Sequence, residues 1–373
     1  MPTEPLHLVV DARYASAAFP GIGRVTRGLA HAWADHPGIA ALHLITNPAA
    51  PQTHAALPAP SATVHHHPLT APPRSSAEAR QVRALVNRLP VDWFVSPYLR
   101  IPWGSYTPRT LVMVHDAIPL QAAGIPLATR LGYAAALRNA ACRADVLVTV
   151  SAHAAAQLQP WLWPHPRPAV VPNGVDTVWP TRPVDLTAHG ICGPYALCVS
   201  SNQPHKNLTG LVAAWQQLRH AGSLPPTATL VICGHFDPRR DQPWQTDRAT
   251  TNPIVAIADA DDATVHALYR HAQLVVHPSR AEGFGLPVYE ALAHGRLVVA
   301  DDLPVYRAYA PGMVEVCAAR RAAALAAAIA AGWHADARRA ELLHTGPAAV
   351  APLTWAAAAD AYVTLMHKNA TGR

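Results

Sequence analysis

Charge is scarce in this chain of 373 residues: only 14% are Asp, Glu, Lys or Arg, against a hydrophobic share of 50%. Such a composition can bury a core and leaves little room for a long disordered tail. Also missing is any apolar run near the roughly 18 residues of a membrane span. The opening MPTEPLHLVVDARY lacks the basic and apolar regions of a secretory leader, so cytoplasmic residence is the expectation. The five cysteines (Cys142, Cys192, Cys198, Cys233 and Cys317) are odd in number and form no C-x-x-C pair. That argues against a disulfide framework or a structural zinc site and predicts buried thiols. His65-His66-His67, between SATV and PLT, predicts a strand entering a Pro-rich loop rather than a metal tract. No D-x-D type carboxylate cluster stands at a strand end to hold Mg²⁺. Asp259-Ala-Asp261-Asp262 has the letters, but it precedes a helix, where Asp261 or Asp262 serves as a cap. No motif with interleaved aromatics accompanies the basic residues, which argues against nucleic acid as a partner.

Lysine is absent from residues 1–180, where 13 Arg stand against 8 acidic residues, so nearly all of the formal +6 lies in the first half. Arg74, Arg80, Arg83 and Arg88 fall within Pro73–Leu89, an expected amphipathic helix with Val82, Leu85, Val86 and Leu89 as its apolar positions. It predicts either an ordinary solvated face or a contact with anionic lipid.

The length predicts two domains, because single cores stop growing at about 250–300 residues. Short apolar runs recur between helical patterns at Leu6–Val10, Ala41–Thr46, Asp92–Ser96, Thr110–His115, Val146–Val150 and Ala169–Val171. A second set comprises Tyr195–Ser200, Ala228–Cys233, Ile254–Ile257, Gln273–His277, Leu297–Ala300 and Val314–Val316. Parallel strands with helical crossovers, in two doubly wound α/β domains, account for both. Pro172-Asn-Gly-Val-Asp and the turn-rich stretch after it predict a hinge, giving domains 1–180 and 181–352. Trp355, Ala359, Tyr362 and Leu365 have helical spacing in the tail.

Four stretches carry candidate chemistry. In HPSRAEGFGLPVYEALAHG, from His277 to Gly295, a strand runs into a glycine loop and a helix start, with Pro287 at an N1-like place. Glycines there let main chain approach a ligand, and free N–H groups at the helix start can face an anion. Glu282 falls on the loop and Glu290 one turn into the helix, so the two carboxylates can hold different parts of one ligand. Near the start, Phe19-Pro-Gly21-Ile-Gly23-Arg24 precedes the helical pattern Val25–Trp33. It departs from G-x-G-x-x-G at Thr26, which weakens a dinucleotide reading. His115-Asp116-Ala-Ile-Pro119 ends a strand, where open α/β sheets place ligand contacts, although a His-Asp pair there is often structural. Ser200-Ser201-Asn-Gln-Pro-His205-Lys206-Asn207 ends another strand and enters a helix. Ser151 suits a helix N-cap and needs no other role.

In motif order these stretches resemble the retaining GT-B glycosyltransferases of the GT4 type, whose E-x7-E signature matches Glu282 and Glu290. The resemblance implies two Rossmann-like domains facing a central cleft, with a terminal helix, 353–373, crossing back to the first. Glu290 is then expected on the ribose hydroxyls, and Glu282 with the Gly283-Phe284-Gly285 backbone on the transferred sugar. Leu286 and Pro287 are expected beside the diphosphate, Gly21 and Gly23 between donor phosphate and acceptor, Arg24 facing the donor diphosphate or an anionic acceptor, and Ser200, Ser201 and Asn207 among the donor contacts. Lys206 is the implied counter-charge for the leaving phosphate, and His115 the implied contact to the sugar. His205 stands where the family often has arginine and supplies no permanent charge. The resemblance further implies metal-independent transfer with retention, with no cofactor beyond the nucleoside diphosphate sugar. The combination looks more like bacterial polysaccharide mannosyltransferases than like glycogen or sucrose enzymes. The former imply GDP-mannose and a saccharide or polyprenyl-diphosphate-linked saccharide acceptor at the inner face of the cell membrane. A UDP- or dTDP-sugar enzyme, a nucleotide-sugar epimerase and a non-catalytic nucleotide-sugar-binding paralogue are the alternatives.

Overall fold

Both sets of apolar runs form all-parallel sheets in the computed structural model, which describes residues 4–15, 20–48, 56–71, 75–102, 104–122, 125–176, 182–247 and 251–370. The chain divides into two units, Met1–Gly174 with Leu353–Arg373, and Val175–Pro352. Phe19, Arg74 and residues 177–181 of the expected hinge lie outside the described residues.

The first unit contains strands β1 (Leu6–Asp11), β2 (Ile39–Thr46), β3 (Val64–Pro68), β4 (Trp93–Ser96), β5 (Arg109–Met113), β6 (Val146–Thr149) and β7 (Ala169–Val170). They lie in the order β3-β2-β1-β4-β5-β6-β7. Helices α1 (Pro20–Ala34), α2 (Ser76–Val86), α3 (Ile118–Gln121), α4 (Leu127–Arg143) and α5 (Ala152–Leu162) connect or flank them. The histidine tract is part of β3 itself. His65 and His67 lie against His43 of β2, and His43 Nδ1 is 2.9 Å from His67 Nε2. Burial and the neighbouring His67 push His43 down to about 4, so it is neutral at physiological pH.

Two expectations for this unit are corrected. The Gly21-Ile-Gly23-Arg24 segment is the first turn of α1, not a loop, because a proline at the helix start has no N–H to leave unsatisfied. Thr26, which breaks the dinucleotide pattern, bonds through its hydroxyl to the Ile22 carbonyl one turn back. Likewise α2 does not offer an apolar face: Val82 and Val86 are buried in the unit's core with Phe94, Val112 and Leu137, and Leu85 and Leu89 pack against it. Its solvated side carries Arg80 and Arg83. The outward apolar face belongs instead to α4. Leu137 and Ala140 of that helix enter the core, while Leu127, Leu131, Ala135, Arg138 and Cys142, one helical stripe, are exposed. The thiol expectation is also only partly met, since Cys142 and Cys192 are exposed.

The second unit holds strands β8 (Tyr195–Val199), β9 (Thr229–Gly234), β10 (Ile254–Ala258), β11 (Leu274–His277), β12 (Val298–Asp301) and β13 (Val314–Cys317). Their order is β10-β9-β8-β11-β12-β13. Helices α6 (Leu208–His220), α7 (Asp262–His271), α8 (Leu286–Ala293), α9 (Pro304–Tyr309), α10 (Ala322–Trp333) and α11 (Asp336–Val350) belong to it. Asp261 caps α7 by accepting from the Thr264 amide at 2.8 Å. The last helix, α12 (Trp355–Ala370), returns to the first unit and packs on α1, with Tyr362 edge-on to Trp33 at 5.7 Å between ring centroids. The stretch Asp336–Ala370 is apolar enough by composition to cross a membrane, but it is two helices, broken at 351–354.

A charge cluster that sequence reading did not single out closes the first unit. Arg13 donates to Asp11 through Nε at 2.7 Å and Nη2 at 2.6 Å, and its Nη2 lies 3.0 Å from Glu78 of α2; all three residues are buried. The cluster ties the end of β1 to α2. Arg13→Ala strands two buried carboxylates and is expected to lower stability by about 3–5 kcal/mol. Urea unfolding followed by circular dichroism checks this, and an unchanged first transition would contradict it.

Candidate active site

The second sheet has one topological switch point. From β8 the chain builds outward through β9 and β10, and from β11 it builds the other way through β12 and β13, while β8 and β11 themselves pair. The loops after these two strands diverge, opening the crevice in which open α/β sheets bind ligands. The Ser200–Asn207 loop follows β8 and the Pro278–Gly285 loop follows β11, so the two candidate stretches of this unit meet there.

Both loops are held by their own backbone. The Arg280 amide donates to the His205 carbonyl at 2.8 Å. Asn207 has left-handed backbone (φ 58°) at the start of α6, and its buried side chain is bonded at both its nitrogen and its oxygen. It donates to the Ala319 carbonyl at 2.9 Å and accepts from Arg280 Nη2 at 2.6 Å. That side chain is an anchor for three loops. Gly285 precedes α8 with φ 88°, and a Cβ there would come within 2.7 Å of the Tyr306 ring, so only glycine fits. Phe284 is buried against Tyr289 and Tyr309, which leaves only its backbone to meet a ligand. Ser200 extends the sheet ladder through its amide to the Cys233 carbonyl at 2.9 Å, and Ser201 is half-buried beside it.

Charge converges on Glu282. Its Oε1 accepts from Lys206 Nζ at 2.5 Å and from His277 Nε2 at 2.8 Å, whereas Oε2 has no hydrogen-bond partner among the described residues. Glu282 is 8% exposed and His277 1%, so the carboxylate is an almost dry anion with one oxygen saturated and one open. Burial opposes its ionisation, but the Lys206 charge and the His277 hydrogen bond outweigh it and hold the carboxyl well below the usual range. His205 behaves oppositely: burial, reinforced by Lys206, pushes it down to about 4, and it is uncharged at neutral pH. Glu290, also buried, is held separately, with the Tyr269 hydroxyl donating to its Oε2 at 3.0 Å. His277 and Arg280 carry functional geometry that sequence reading passed over. A histidine ending a strand just before a loop carboxylate was the available signal for the first; nothing local marks the second.

In the first unit, His115 follows β5 and donates through Nε2 to the Pro97 carbonyl at 2.7 Å. Burial pushes its pKa down, so the ring is neutral, and with the proton committed to Nε2 the other nitrogen, Nδ1, is a hydrogen-bond acceptor. Asp116 accepts from the Ile118 amide at 2.9 Å at the start of α3, a structural role. Gly21, Gly23 and Arg24 share the first turns of α1.

With Lys206→Met, Glu282 keeps only His277 as a donor, and stability is expected to fall by about 3–5 kcal/mol at pH 7. The Glu282 carboxyl is depressed in the folded state, so the stability it contributes is complete above the unfolded value of about 4.5 and is lost as pH falls towards the folded value. The gap between wild type and variant should therefore narrow from pH 7 to pH 3 in urea titrations; a gap independent of pH would count against the pairing.

Residues 193–334 match the family described as Glycosyl transferases group 1. The chain is 32% identical over 111 residues to the O-antigen chain mannosyltransferase B of Escherichia coli. It is 27% identical over 113 residues to the O-antigen chain mannosyltransferase RfbU of Salmonella typhimurium. The matched stretches cover 29% and 30% of this chain and 29% and 31% of the two relatives, less than a third of either. Among solved structures, Anabaena Alr3699/HepE in complex with UDP and glucose is similar with a TM-score of 0.74 at 16% identity, over 97% of this chain and 100% of that one. The sucrose-phosphate synthase of Thermosynechococcus elongatus is similar with a TM-score of 0.73 at 18% identity, over 98% and 99%. Likeness at such identities is a likeness of fold, and the fold is GT-B.

Proposed function

With a Glycosyl transferases group 1 domain at residues 193–334 in a chain of GT-B fold, we propose that the protein is a metal-independent, retaining glycosyltransferase. It moves a hexose from a nucleoside diphosphate sugar to a saccharide hydroxyl. The observation that carries this reading is the buried Glu282, saturated at Oε1 and open at Oε2, beside the Lys206 ammonium at the switch point. The open oxygen accepts from a sugar hydroxyl, and the ammonium neutralises the charge that grows on the diphosphate as the glycosidic bond breaks. The Leu286 amide, at the start of α8, is a second donor to that diphosphate; Pro287 has none. Neutral His115 accepts a sugar hydroxyl through Nδ1. Because a diphosphate already leaves readily, no strong general acid is required, and retention follows from attack on the face the diphosphate leaves. Metal independence is supported by the carboxylates that have the right letters: Asp261 caps α7, and Asp259 lies 2.7 Å from His235 Nδ1.

Likeness to the O-antigen mannosyltransferases supports GDP-mannose as donor, and a polyprenyl-diphosphate-linked saccharide as acceptor in cell-surface polysaccharide synthesis. Thermal-shift screening against GDP-, UDP- and dTDP-sugars ranks the donors, and proton NMR of the product reads the anomer; an inverted product would refute retention. Glu282→Ala should lower kcat/KM about tenfold to hundredfold, the value of one charged hydrogen bond. Undiminished turnover would show that the site is wrong, and conversion of free donor without acceptor would favour an epimerase.

A lipid-linked acceptor calls for contact with an anionic bilayer at the inner face of the membrane, and α4 is the surface suited to it. Leu127 is 70% and Leu131 61% exposed, and nearby Trp163, whose carbonyl accepts from Arg138, is 74% exposed. Between residues 117 and 175 the only acidic residue is Asp145, against Arg130, Arg138, Arg143 and Arg167. Exposed Trp and Leu bordered by arginine match an anionic interface and disfavour self-pairing. Vesicles of phosphatidylglycerol and phosphatidylcholine should float the wild type but not Leu127→Ser/Leu131→Ser. Flotation on phosphatidylcholine alone, or a dimer dissolved by the variant, would overturn this assignment.

A further inference from the structure

We propose that Lys206 is an exchangeable partner of Glu282, and that His277 is the positioning residue that permits the exchange. On arrival of the nucleoside diphosphate, the ammonium leaves the carboxylate for the phosphates while His277 keeps Oε1 bonded. This rests on the nucleotide-sugar reading above and adds to it a division of labour between the two donors.

The geometry points this way because both donors share one oxygen. Lys206 Nζ and His277 Nε2 lie 2.5 and 2.8 Å from the same Oε1, which has a lone pair for each. If Lys206 were the sole donor, its departure would strand a buried anion, and the ion pair would hold the lysine against any ligand. With His277 in place the carboxylate keeps one strong hydrogen bond and its orientation, and Oε2 continues to face the ligand. His277 is fixed for this task. It ends β11, is 1% exposed and stands edge-on to the Tyr306 ring at 6.3 Å between centroids. Its other nitrogen, Nδ1, is buried with no partner in the described structure, so the ring is placed for the bond at Nε2 and not for its own full satisfaction.

The choice of lysine supports the same division. The chain has 27 arginines and only 2 lysines, Lys206 and Lys368. A guanidinium beside Glu282 would bind bidentately and close Oε2, whereas an ammonium on a flexible stem is a point charge that can turn away. His205 offers no rival cation, being held neutral by burial.

The test is calorimetric binding of GDP, UDP and dTDP to the full chain, with kcat and KM for the matching sugar donor. His277→Leu should weaken binding of the preferred nucleoside diphosphate by about tenfold or more and raise KM for the sugar donor, because Lys206 is now tied to Glu282. His277→Gln, which keeps a donor near the Nε2 position, should remain within about threefold of wild type. His277→Leu/Glu282→Gln should regain nucleoside diphosphate affinity, since a neutral amide does not retain the lysine, while its kcat/KM stays about tenfold or more below wild type. Unchanged affinity in His277→Leu, or no recovery in the double variant while its circular dichroism spectrum matches wild type, overturns the exchange. Absence of binding by the wild type to all three diphosphates is a different result: it refutes the nucleotide-sugar reading itself and the exchange with it.

Discussion

A carboxylate removed from water stays ionised only where donors are brought to it, and Glu282 is such a group. The rest of the second unit can be read as the means of supplying those donors. The parallel order of the strands sends the loops after β8 and β11 apart at one crevice; the first delivers Lys206, and the end of β11 delivers His277. Asn207 and Arg280, bonded to each other, keep the two loops in register. Gly285 lets the chain turn into α8 against Tyr306. None of these side chains alone would make a binding site. Together they fix one anion with a single open oxygen.

Electrostatically the site is spare. His205 is held neutral by burial, so the ion pair buried at the second unit's switch point is one ammonium and one carboxylate, with the exposed Arg280 guanidinium turned to Asn207. The arrangement depends little on salt, because its opposing charges are buried and adjacent rather than spread over the surface.

Much of this was legible in the chain because it is local. Strand positions, the glycine before α8, Pro287 in its first turn and the cap at Asp261 all follow from nearest-neighbour chemistry, and they emerge within a residue or two of expectation. What escaped is tertiary. Arg13 finds Glu78 across 65 positions, and Arg280 finds Asn207 across 73, with no periodicity to announce either. Helix faces were ambiguous for a related reason. In α2 the basic residues drew attention to an apolar edge that the core absorbs, while α4 is apolar on both sides and its sequence does not reveal which side the sheet will take. The start of α1 was displaced because glycines suggested a loop where a proline had already set helical backbone.

The return of α12 to the first unit has a consequence for the order of synthesis. Trp355 lies against Gly28 and Gly174, and Tyr362 is buried on Trp33, so α1 is completed by a helix made only after the whole second unit. The second unit, 175–352, is an insertion whose entry and exit meet at Gly174 and Trp355. On the ribosome that unit has all its own strands before the first has its closing helix. Until then the side of α1 that carries Gly28 and Trp33 lacks its cover, and the unit that is begun before the other is finished after it.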